Sequence, residues 1–426
     1  MKIKLDYGHH GLEVQVPDAN LEAILGLKPI APHPDPERAV SDALKQPTGC
    51  PPLAALARTR KSACVVISDI TRPVPNREIL PPLLALLEVS GIPREKITIL
   101  VATGTHRPNT PEELESMVGP AVLANYRIVN HVATDRETHR YLGDTPRGVP
   151  MWVDTRFLDA ELKISVALIE PHFMAGYSGG RKSICPGICA METVQVWHGP
   201  RFIGHELSDA GSVSGNPVHE DSLYIARAAG LDMICDVTLD EERRITGVYA
   251  GEVEAAWLKG VRAASNIATA YLRRPVDIVV TTTAGYPLDL TFYQAVKGMV
   301  GALPAVKPGG TVIVAARCAE GLGSKHFADI LLENDDLDAF VAQTYQPGFF
   351  IPDQWEVHEL AKARKKAEIL MYTEGISSEV LSRCFVTPIP SVEEGIRQAL
   401  AKHGDQARIA VIPKGPYIIP AISRAH

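Results

Sequence analysis

Mainly apolar runs alternate with helical patterns along most of this chain. Three of these runs lie in the first half of the sequence, at Ala63–Ser68, Ile97–Ala102 and Leu162–Ile169. Continuous apolar runs of this length predict strands that are buried on both faces. Between the first two, the segment from Pro82 to Ser90 predicts a helix that begins at its proline. The order strand, helix, strand predicts a β-α-β unit and therefore a parallel sheet.

The same alternation returns in the second half of the chain. Asp277–Thr282 and Lys307–Ala316 predict two further strands, with a helix at Phe292–Leu303 between them. The segment Ala270–Pro275, which precedes this second set, is the predicted junction. We therefore predict an α/β protein of two domains, residues 1–270 and 271–426, each with a mainly parallel, Rossmann-like sheet.

Composition narrows the class of protein. A chain of 426 residues with 46% hydrophobic and 22% charged residues is long enough for two domains with their own cores. The net charge of -7 is spread without a basic block, which argues against a nucleic acid or an anionic membrane as partner. No apolar run reaches spanning length, and the Met-Lys start leads into a strand pattern without the core of a signal peptide. The seven cysteines are odd in number and have no C-x-x-C pair, which argues against a disulfide framework or structural zinc. We expect a cytoplasmic protein.

The stretch from Glu170 to Gly199 concentrates the candidate chemistry. It combines a glycine-rich loop, an amine and two imidazoles: Gly176, Gly179, Gly180, Lys182, His172 and His198. The loop nearly matches a nucleoside-triphosphate P-loop, but Arg181 occupies the position of the second glycine and hinders close approach of the backbone to a triphosphate. We interpret the loop as a cradle for a monophosphate or nucleotide, with ATP binding as the alternative.

Other polar residues follow the predicted strands. Asp69 and Arg72 come after the first strand, His106 after the second, and His172 after the third. Ligands of open parallel sheets bind beyond the carboxyl ends of the strands, so these side chains are expected to converge near the glycine loop if the strands are neighbours. A single histidine in a loop is usually a bystander, but three at strand ends or beside the glycine loop, His106, His172 and His198, indicate a site.

Five separated motifs identify a resemblance. They follow in the order D-I-T-R-P (69–73), G-T-H-R (104–107), P-H-F-M-A-G-Y-S-G-G-R-K-S-I-C-P-G (171–187), V-W-H-G (196–199) and Y-Q-A-V-K-G (293–298). Through these motifs the chain resembles the nickel-dependent lactate racemase family over essentially its whole length. The resemblance implies a racemase or epimerase of 2-hydroxy acids.

The resemblance also implies a cofactor, the nickel pincer nucleotide, a pyridinium-3-thioamide-5-thiocarboxylate mononucleotide that chelates nickel. Lys182 corresponds to the amine that is covalently attached to it, and His198 to a nickel ligand. An amine can act as a nucleophile when nearby positive charge disfavours its protonated form, and nickel with sulfur donors accepts a neutral imidazole. The remaining cofactor-binding residues implied are Asp69, Thr71, Gly176, Ser178, Gly179 and Gly180. The enzymes that make the cofactor are implied as transient partners.

The implied substrate is lactate or another short-chain 2-hydroxy acid. The C2 hydrogen leaves as a hydride, because no ketone or thioester stabilises a carbanion, and a planar 2-oxo acid results. By resemblance His106 and His172 are the bases that take the hydroxyl proton from the two enantiomers. The resemblance implies four substrate-binding residues, one arginine in the first domain and three residues in the second: Arg72, Tyr293, Gln294 and Lys297. It also implies that the active site lies in the cleft between the domains. Gln354 and Trp355 are candidates to cover the site, although a tryptophan is more often packed in a core.

Two other function classes stay open. A nicotinamide-dependent 2-hydroxy acid dehydrogenase needs a G-x-G-x-x-G turn after a strand, and Gly321-Leu322-Gly323 lacks the third glycine. A non-catalytic protein that binds nickel or a nucleotide does not need Arg72 and Lys297 beside the histidines.

Overall fold

The computed structural model describes residues 1–423, which divide into two compact units. The central unit consists of Pro29–Glu170 and Met174–Ile267. The terminal unit consists of Met1–Lys28, Pro171–Phe173 and the described residues from Ala268 onwards. The predicted domains, 1–270 and 271–426, place a break close to Ala268, but they assign the first 28 residues to the other part of the chain. The last three residues of the second predicted domain lie outside the described residues.

The strands are labelled in chain order. Their bounds are β1 Lys2–Leu5, β2 Leu12–Gln15, β3 Leu21–Ile24, β4 Ala63–Ser68, β5 Ile97–Ala102, β6 Arg127–Asn130, β7 His139–Asp144, β8 Pro150–Asp154, β9 Leu162–Leu168, β10 Pro171–His172, β11 Gly176–Tyr177, β12 Met233–Leu239, β13 Ile245–Gly251, β14 Thr269–Leu272, β15 Val276–Thr282, β16 Val306–Ala315, β17 Ala367–Tyr372, β18 Thr387–Pro388, β19 Ile409–Ile412 and β20 Ile419–Ile422.

The α-helices are labelled in the same way. Their bounds are α1 Pro36–Lys45, α2 Leu53–Ala57, α3 Asn76–Val89, α4 Pro111–Val118, α5 Pro120–Asn125, α6 Thr155–Leu158, α7 Met191–Trp197, α8 Pro200–Ile203, α9 Pro217–Ala228, α10 Ala255–Ala268, α11 Phe292–Ala302, α12 Lys325–Glu333, α13 Leu337–Gln343, α14 Gln354–Lys366, α15 Ser378–Arg383 and α16 Val392–His403. Within the described residues, none of these helices combines the length and the apolar character that crossing a membrane requires.

The central unit is built on a six-stranded sheet in the order β13-β12-β9-β4-β5-β6. All neighbouring pairs are parallel except β12 and β13. In the middle of the sheet Val65 lies between Ile99 and Ile164, and all three side chains are buried. The prediction of a mainly parallel α/β sheet is confirmed, and β4 and β5 have the bounds that the sequence predicted.

The helix between β4 and β5 begins earlier than predicted. It starts at Asn76, so Pro81 and Pro82 lie inside α3 and do not open it. A proline inside a helix costs about 3 kcal/mol through its missing N–H and its clash with the preceding turn. Burial of an aliphatic side chain contributes about 1.5–3 kcal/mol. Five such side chains are buried on α3, enough to outweigh the proline penalty: Ile79, Leu80, Leu83, Leu84 and Leu87.

The terminal unit contains a second six-stranded sheet, in the order β18-β17-β16-β15-β19-β3, with every pair parallel. Strand β3 lies at its edge, where Leu21 pairs with Ile409. This pairing explains why the first 28 residues belong to this unit. The predicted junction Ala270–Pro275 overlaps β14, which pairs in parallel with β20 and is therefore ordered structure.

Candidate active site

The first group of predicted site residues lies in the central unit, beyond the carboxyl ends of β4 and β5. His106 Nδ1 lies 2.7 Å from Asp69 Oδ2, and the Thr71 hydroxyl donates to Asp69 Oδ1 over 2.7 Å. Burial raises the pKa of Asp69, but the charge and hydrogen bond of His106, the Thr71 hydroxyl and the charge of Arg72 bring the pKa below its ordinary value. An ionised Asp69 accepts from the Nδ1–H group, which leaves Nε2 of a neutral His106 as a proton acceptor.

Arg72 belongs to the same group. Its Nε lies 3.4 Å from a carboxylate oxygen of Glu170, and the two side chains are 18% and 12% exposed. The hydrogen bonds from Thr71 to Asp69 and between Asp69 and His106 orient the imidazole. Cofactor binding by Asp69 and Thr71, which the resemblance implied, stays a prediction. We call Asp69, Thr71, Arg72, His106 and Glu170 the His106 group.

The glycine loop is held by contacts inside the central unit. The Gly180 amide donates to Asp236 Oδ2 over 2.6 Å, and the Ser178 hydroxyl donates to the Leu168 carbonyl over 2.6 Å. Gly179 has a φ of +79°, and a Cβ there would lie 2.7 Å from Asp236 Oδ2. The loop therefore needs glycine for its own packing. Cofactor binding by Ser178, Gly179 and Gly180 stays a prediction.

Gly176 is constrained in the same way. Its φ is +75°, and a Cβ would lie 2.0 Å from the carbonyl oxygen of Ser212. Two further amides of the loop have partners within it or at its base, because Ser178 N donates to Glu170 O and Lys182 N to Gly179 O. These two amides are therefore occupied by the loop itself, although the glycine loop was predicted to hold a phosphate.

Arg181 lies beneath the loop. Its guanidinium is buried, sits 3.8 Å from the centre of the Trp257 ring, and donates to the Ala175 carbonyl over 2.8 Å. Burial lowers the pKa of Arg181 to about 9, although Asp236 acts in the opposite direction. Burial raises the pKa of Asp236 to about 7. Arg181 thus braces the loop that carries Lys182, which explains a charged residue at that position.

Lys182 and His198, the predicted tether and nickel ligand, are grouped around one indole. Lys182 Nζ lies 5.2 Å from the centre of the Trp197 ring, and the His198 ring centre lies 4.5 Å from it. Helix α7 ends at Trp197, so His198 takes the position directly after it. The Gly104 amide donates to the Gly187 carbonyl over 3.0 Å, which ties the loop before His106 to the segment after Lys182.

The second group lies in the terminal unit. Gln294 and Lys297 are one turn apart on α11, and the Lys297 ammonium donates to the Gln294 side-chain carbonyl. Lys297 Nζ also lies 5.6 Å from the centre of the Phe173 ring, which stacks on His172 with 4.8 Å between ring centres. The structure therefore brings Gln294 and Lys297, which were predicted to bind the substrate, close to the pair formed by Phe173 and the predicted base His172.

Tyr293 is held by the residue that the sequence proposed as a cover. The Trp355 indole N–H donates to the Tyr293 hydroxyl over 2.7 Å, and the Trp355 side chain is buried. Gln354 accepts from the Ile351 amide over 3.0 Å and is buried too. Both residues thus have packing and positioning contacts inside this unit.

Two buried acids on α14 were not predicted from the sequence. Glu356 is 0% exposed and Glu359 is 1% exposed, although both belong to a helix rich in charged residues. Burial raises the pKa of Glu356 to about 8; Lys297 opposes this rise, while Glu359 and Asp353 add to it. No signal in the sequence pattern separates these glutamates from solvent-facing ones. We call Gln294, Lys297, Asp353, Glu356 and Glu359 the Lys297 layer.

One further cluster in the described part of the chain has the spacing of a metal site: His131, His139 and Asp154. The two Nε2 atoms of the histidines lie 2.9 Å apart, and His139 Nδ1 lies 2.9 Å from the Asp135 carbonyl, to which it can only donate. Asp154 is held by the Arg156 guanidinium over 2.8 Å. Burial lowers the pKa of His131 to about 3, with His139 and Arg156 acting in the same direction. The two histidines thus hydrogen-bond to each other and Asp154 pairs with Arg156, and His198 stays the predicted nickel ligand.

The predicted site residues thus fall into two sets, one in each unit. The central unit holds the His106 group, the glycine loop, Lys182 and His198, and the terminal unit holds His172, Tyr293, Gln294 and Lys297. Placement of the site in an interdomain cleft stays a prediction.

Comparison with known proteins gives a consistent result. Two family models match the chain, "Lactate racemase N-terminal domain" at residues 7–211 and "Lactate racemase C-terminal domain" at residues 272–419. The lactate racemase of Thermoanaerobacterium thermosaccharolyticum is 35% identical over 421 residues, which cover 98% of each chain. The lactate racemase of Lactiplantibacillus plantarum is 35% identical over 424 residues, covering 98% of this chain and 99% of the relative.

Solved structures agree with this result. The structure of the lactate racemase apoprotein from Thermoanaerobacterium thermosaccharolyticum superposes with a TM-score of 0.92 at 34% identity, covering 99% of this chain and 100% of that one. A crystal structure of a protein from Thermotoga maritima superposes with a TM-score of 0.73 at 18% identity, covering 92% and 100%, and shows the fold alone. The chain belongs to the lactate racemase family.

Proposed function

We propose that this protein is an isomerase that racemises a short-chain 2-hydroxy acid, with lactate as the first candidate substrate. The observation that carries the proposal is the contact of 2.7 Å between His106 Nδ1 and Asp69, which orients an imidazole as a general base. The names of the relatives support lactate as the substrate.

His106 takes the hydroxyl proton of one enantiomer at Nε2 and supplies a proton whenever the 2-oxo acid is reduced to that enantiomer. In a net turnover His106 gains one proton and His172 gives up one, and exchange with solvent restores both. Asp69 stabilises the imidazolium that forms, because its carboxylate accepts from Nδ1–H in both protonation states. His172, which stacks on Phe173, performs the same task for the other enantiomer.

The substrate carboxylate is bound by Arg72 and Lys297, with Gln294 positioning the Lys297 ammonium. Each of the two cations already has an acid nearby, Glu170 beside Arg72 and Glu356 near Lys297. A bound carboxylate therefore competes with internal acids for both cations.

The residues present fit a nickel pincer nucleotide. Lys182 supplies the amine for the covalent attachment and His198 supplies an imidazole for nickel, and both lie around Trp197. When bound, this cofactor supplies an acceptor for the C2 hydride, which no side chain of the chain can provide.

The attachment is tested by intact-mass spectrometry of protein produced together with the cofactor-making enzymes. We expect wild type to carry the added mass and Lys182→Ala to lack it. His198→Ala is the matched control, since it should keep the added mass but lose nickel on metal analysis. Equal added mass in wild type and Lys182→Ala would contradict the attachment.

The activity is tested with the loaded enzyme and each enantiomer of lactate deuterated at C2, in ordinary water. We expect racemisation that retains the deuterium and shows a primary isotope effect, because hydride transfer does not exchange the label with solvent. Washout of the label would contradict the hydride route. Oxidation of lactate that requires added nicotinamide nucleotide would indicate a dehydrogenase, and absence of turnover on lactate would contradict the assigned substrate.

A further inference from the structure

Glu356 occupies a place that a carboxyl group rarely takes. Its side chain is 0% exposed, and neither carboxyl oxygen has a hydrogen-bond partner among residues 1–423. It lies on α14, which packs against α11, the helix that carries Lys297. A buried carboxylate without hydrogen bonds is strongly disfavoured, so the charge of this group depends on the nearby cation.

The charges around Glu356 come mainly from its own layer. Lys297 on α11 favours its ionised form, whereas Glu359 on α14 and Asp353 before α14 disfavour it. The two neighbouring acids have other contacts, since Glu359 lies 3.9 Å from Lys362 and Asp353 accepts from the Ser324 hydroxyl. Helices α12 and α13 and strands β16 and β17 also pack on α14, and their charged side chains are exposed or half-buried: Lys307, Lys325, Asp329, Glu333, Asp338 and Glu368.

We propose that Glu356 is a positioning residue that competes with the substrate carboxylate for Lys297, an inference that rests on the proposed function. The carboxyl group of Glu356 must then be protonated for the substrate to bind tightly. When Glu356 is ionised, binding of the substrate takes up one proton from solvent onto its carboxyl group. No bond to carbon changes in this step, and the charge of the layer is the same before and after it.

The electrostatics support this competition. The Lys297 ammonium cannot balance both the carboxylate of Glu356 and the carboxylate of the substrate. When the substrate is bound, Glu356 is therefore driven towards its neutral form. Burial raises the pKa of Glu356 to about 8, close enough to neutrality for its proton to be present in ordinary buffers and lost in mildly alkaline ones. Because both of its oxygens are shielded, Glu356 acts through Lys297 and does not touch the substrate.

The kinetic test measures KM for lactate with the loaded enzyme from about pH 6 to about pH 9.5. In wild type we expect a constant KM below about pH 8 and a rise of about tenfold per pH unit above it, since binding then requires one proton. Glu356→Gln keeps the shape of the side chain but cannot ionise, so its KM should lack this rise. kcat at saturating lactate should change little in this variant.

Glu359→Gln is the matched control, one turn further along the same helix. It should keep the rise in KM but move it to lower pH, because it removes a charge that raises the pKa of Glu356. A purely structural role would instead raise KM by the same factor at every pH. That result, or a wild-type pH profile in Glu356→Gln, overturns the proposal.

Infrared spectroscopy of the full-length apoprotein gives a readout without turnover. A protonated carboxyl group absorbs apart from carboxylates, and Asp236, whose pKa is raised to about 7, contributes such absorption in wild type and variant alike. The readout is therefore the difference spectrum of wild type minus Glu356→Gln, in which we expect a band that titrates near pH 8. Added lactate should move this titration to higher pH. Absence of the band overturns the inference and leaves the proposed function standing, whereas the band without any racemisation of lactate counts against the proposed function alone.

Discussion

The His106 group and the Lys297 layer are made from similar side chains but have opposite charge balance. Asp69 is 5% exposed and Glu356 is 0% exposed, so burial alone does not distinguish them. Asp69 has hydrogen bonds from two side chains, and its pKa is below the ordinary value. In the Lys297 layer burial raises the pKa of Glu356, and the one ammonium that opposes the rise is countered by two further carboxyl groups, Glu359 and Asp353. The supply of partners, and not the depth of burial, decides which buried acid is charged.

This difference separates two tasks. In the His106 group every charge has a partner. This pairing fixes the orientation of His106, and the ionisation of the paired carboxylates changes little near neutral pH. In a layer with more acids than cations, one acid keeps its proton near neutral pH and releases it when the pH rises. We therefore expect variants of the first group to alter catalysis and variants of the second to alter the response to pH.

The largest effect is expected at His106 itself. His106→Ala should lower kcat for racemisation by about a hundredfold to ten-thousandfold, the usual value of general-base assistance. Steady-state assays of the loaded variant measure this, with His205→Ala as an exposed control. Similar losses in both variants would remove His106 from the chemistry and break the comparison.

The next effect concerns stability and belongs to the Lys297 layer. The pKa of Glu356 is about 8 in the folded protein against an ordinary 4.5, so the folded state holds more protons than the unfolded state between these values. The stability from this group is present below about pH 4.5 and is lost as the pH rises towards 8. Relative to Glu356→Gln, the free energy of unfolding of wild type should fall on the order of 2–4 kcal/mol across that window.

Denaturant unfolding of both proteins at several pH values measures this difference. Glu78→Gln offers a control carboxyl group that is only half-buried. Parallel pH profiles for wild type and Glu356→Gln would show that the layer holds no extra proton.

A smaller effect is expected from Asp69→Asn, which keeps the shape of the side chain and removes its charge. Loss of the orienting carboxylate should lower kcat by about tenfold to a hundredfold, while KM for lactate stays near the wild-type value. Mass analysis of the loaded variant separates an orienting role from cofactor binding, because loss of a cofactor ligand would reduce the cofactor content.

The smallest effect is expected from Thr71→Val, which removes one hydrogen bond to Asp69. The pKa of Asp69 is lowered in the folded protein, so its contribution to stability is present at neutral pH and lost in acid. The variant should therefore be less stable by about 1 kcal/mol at neutral pH, and the difference should shrink in acid. Thermal unfolding at two pH values measures this, and an equal difference at both would place the effect outside Asp69.

The fold was predictable where it depends on local patterns. β4 and β5 have the predicted bounds, β15 and α11 differ from the prediction by one residue at one end, and β16 differs by one residue at each end. The start of α3 was wrong because burial of its apolar face outweighs two internal prolines. The pairing of β3 with β19 joins segments almost 390 residues apart, and no local pattern carries such information.

The site shows the same division between local and distant information. Motifs and strand ends identified the polar residues, but the bond between Asp69 and His106 joins side chains 37 residues apart, and only the folded sheet reveals it. Glu356 escaped because a glutamate on a charged helix usually faces solvent. Its role depends on α14 packing against α11, which the sequence does not record locally.

The edge position of β3 has a consequence for synthesis on the ribosome. The segment that contains β3 is translated before the rest of its sheet, yet its partner β19 is the last strand of that sheet in chain order. The central unit, which is nearly continuous in sequence, can fold while translation proceeds, since domains generally fold as units from the N-terminal side. The terminal sheet must wait with β3 unpaired until Ile409–Ile412 has left the exit tunnel. A nascent chain that stops short of β19 therefore exposes an open strand edge and is a natural target for chaperones and proteases.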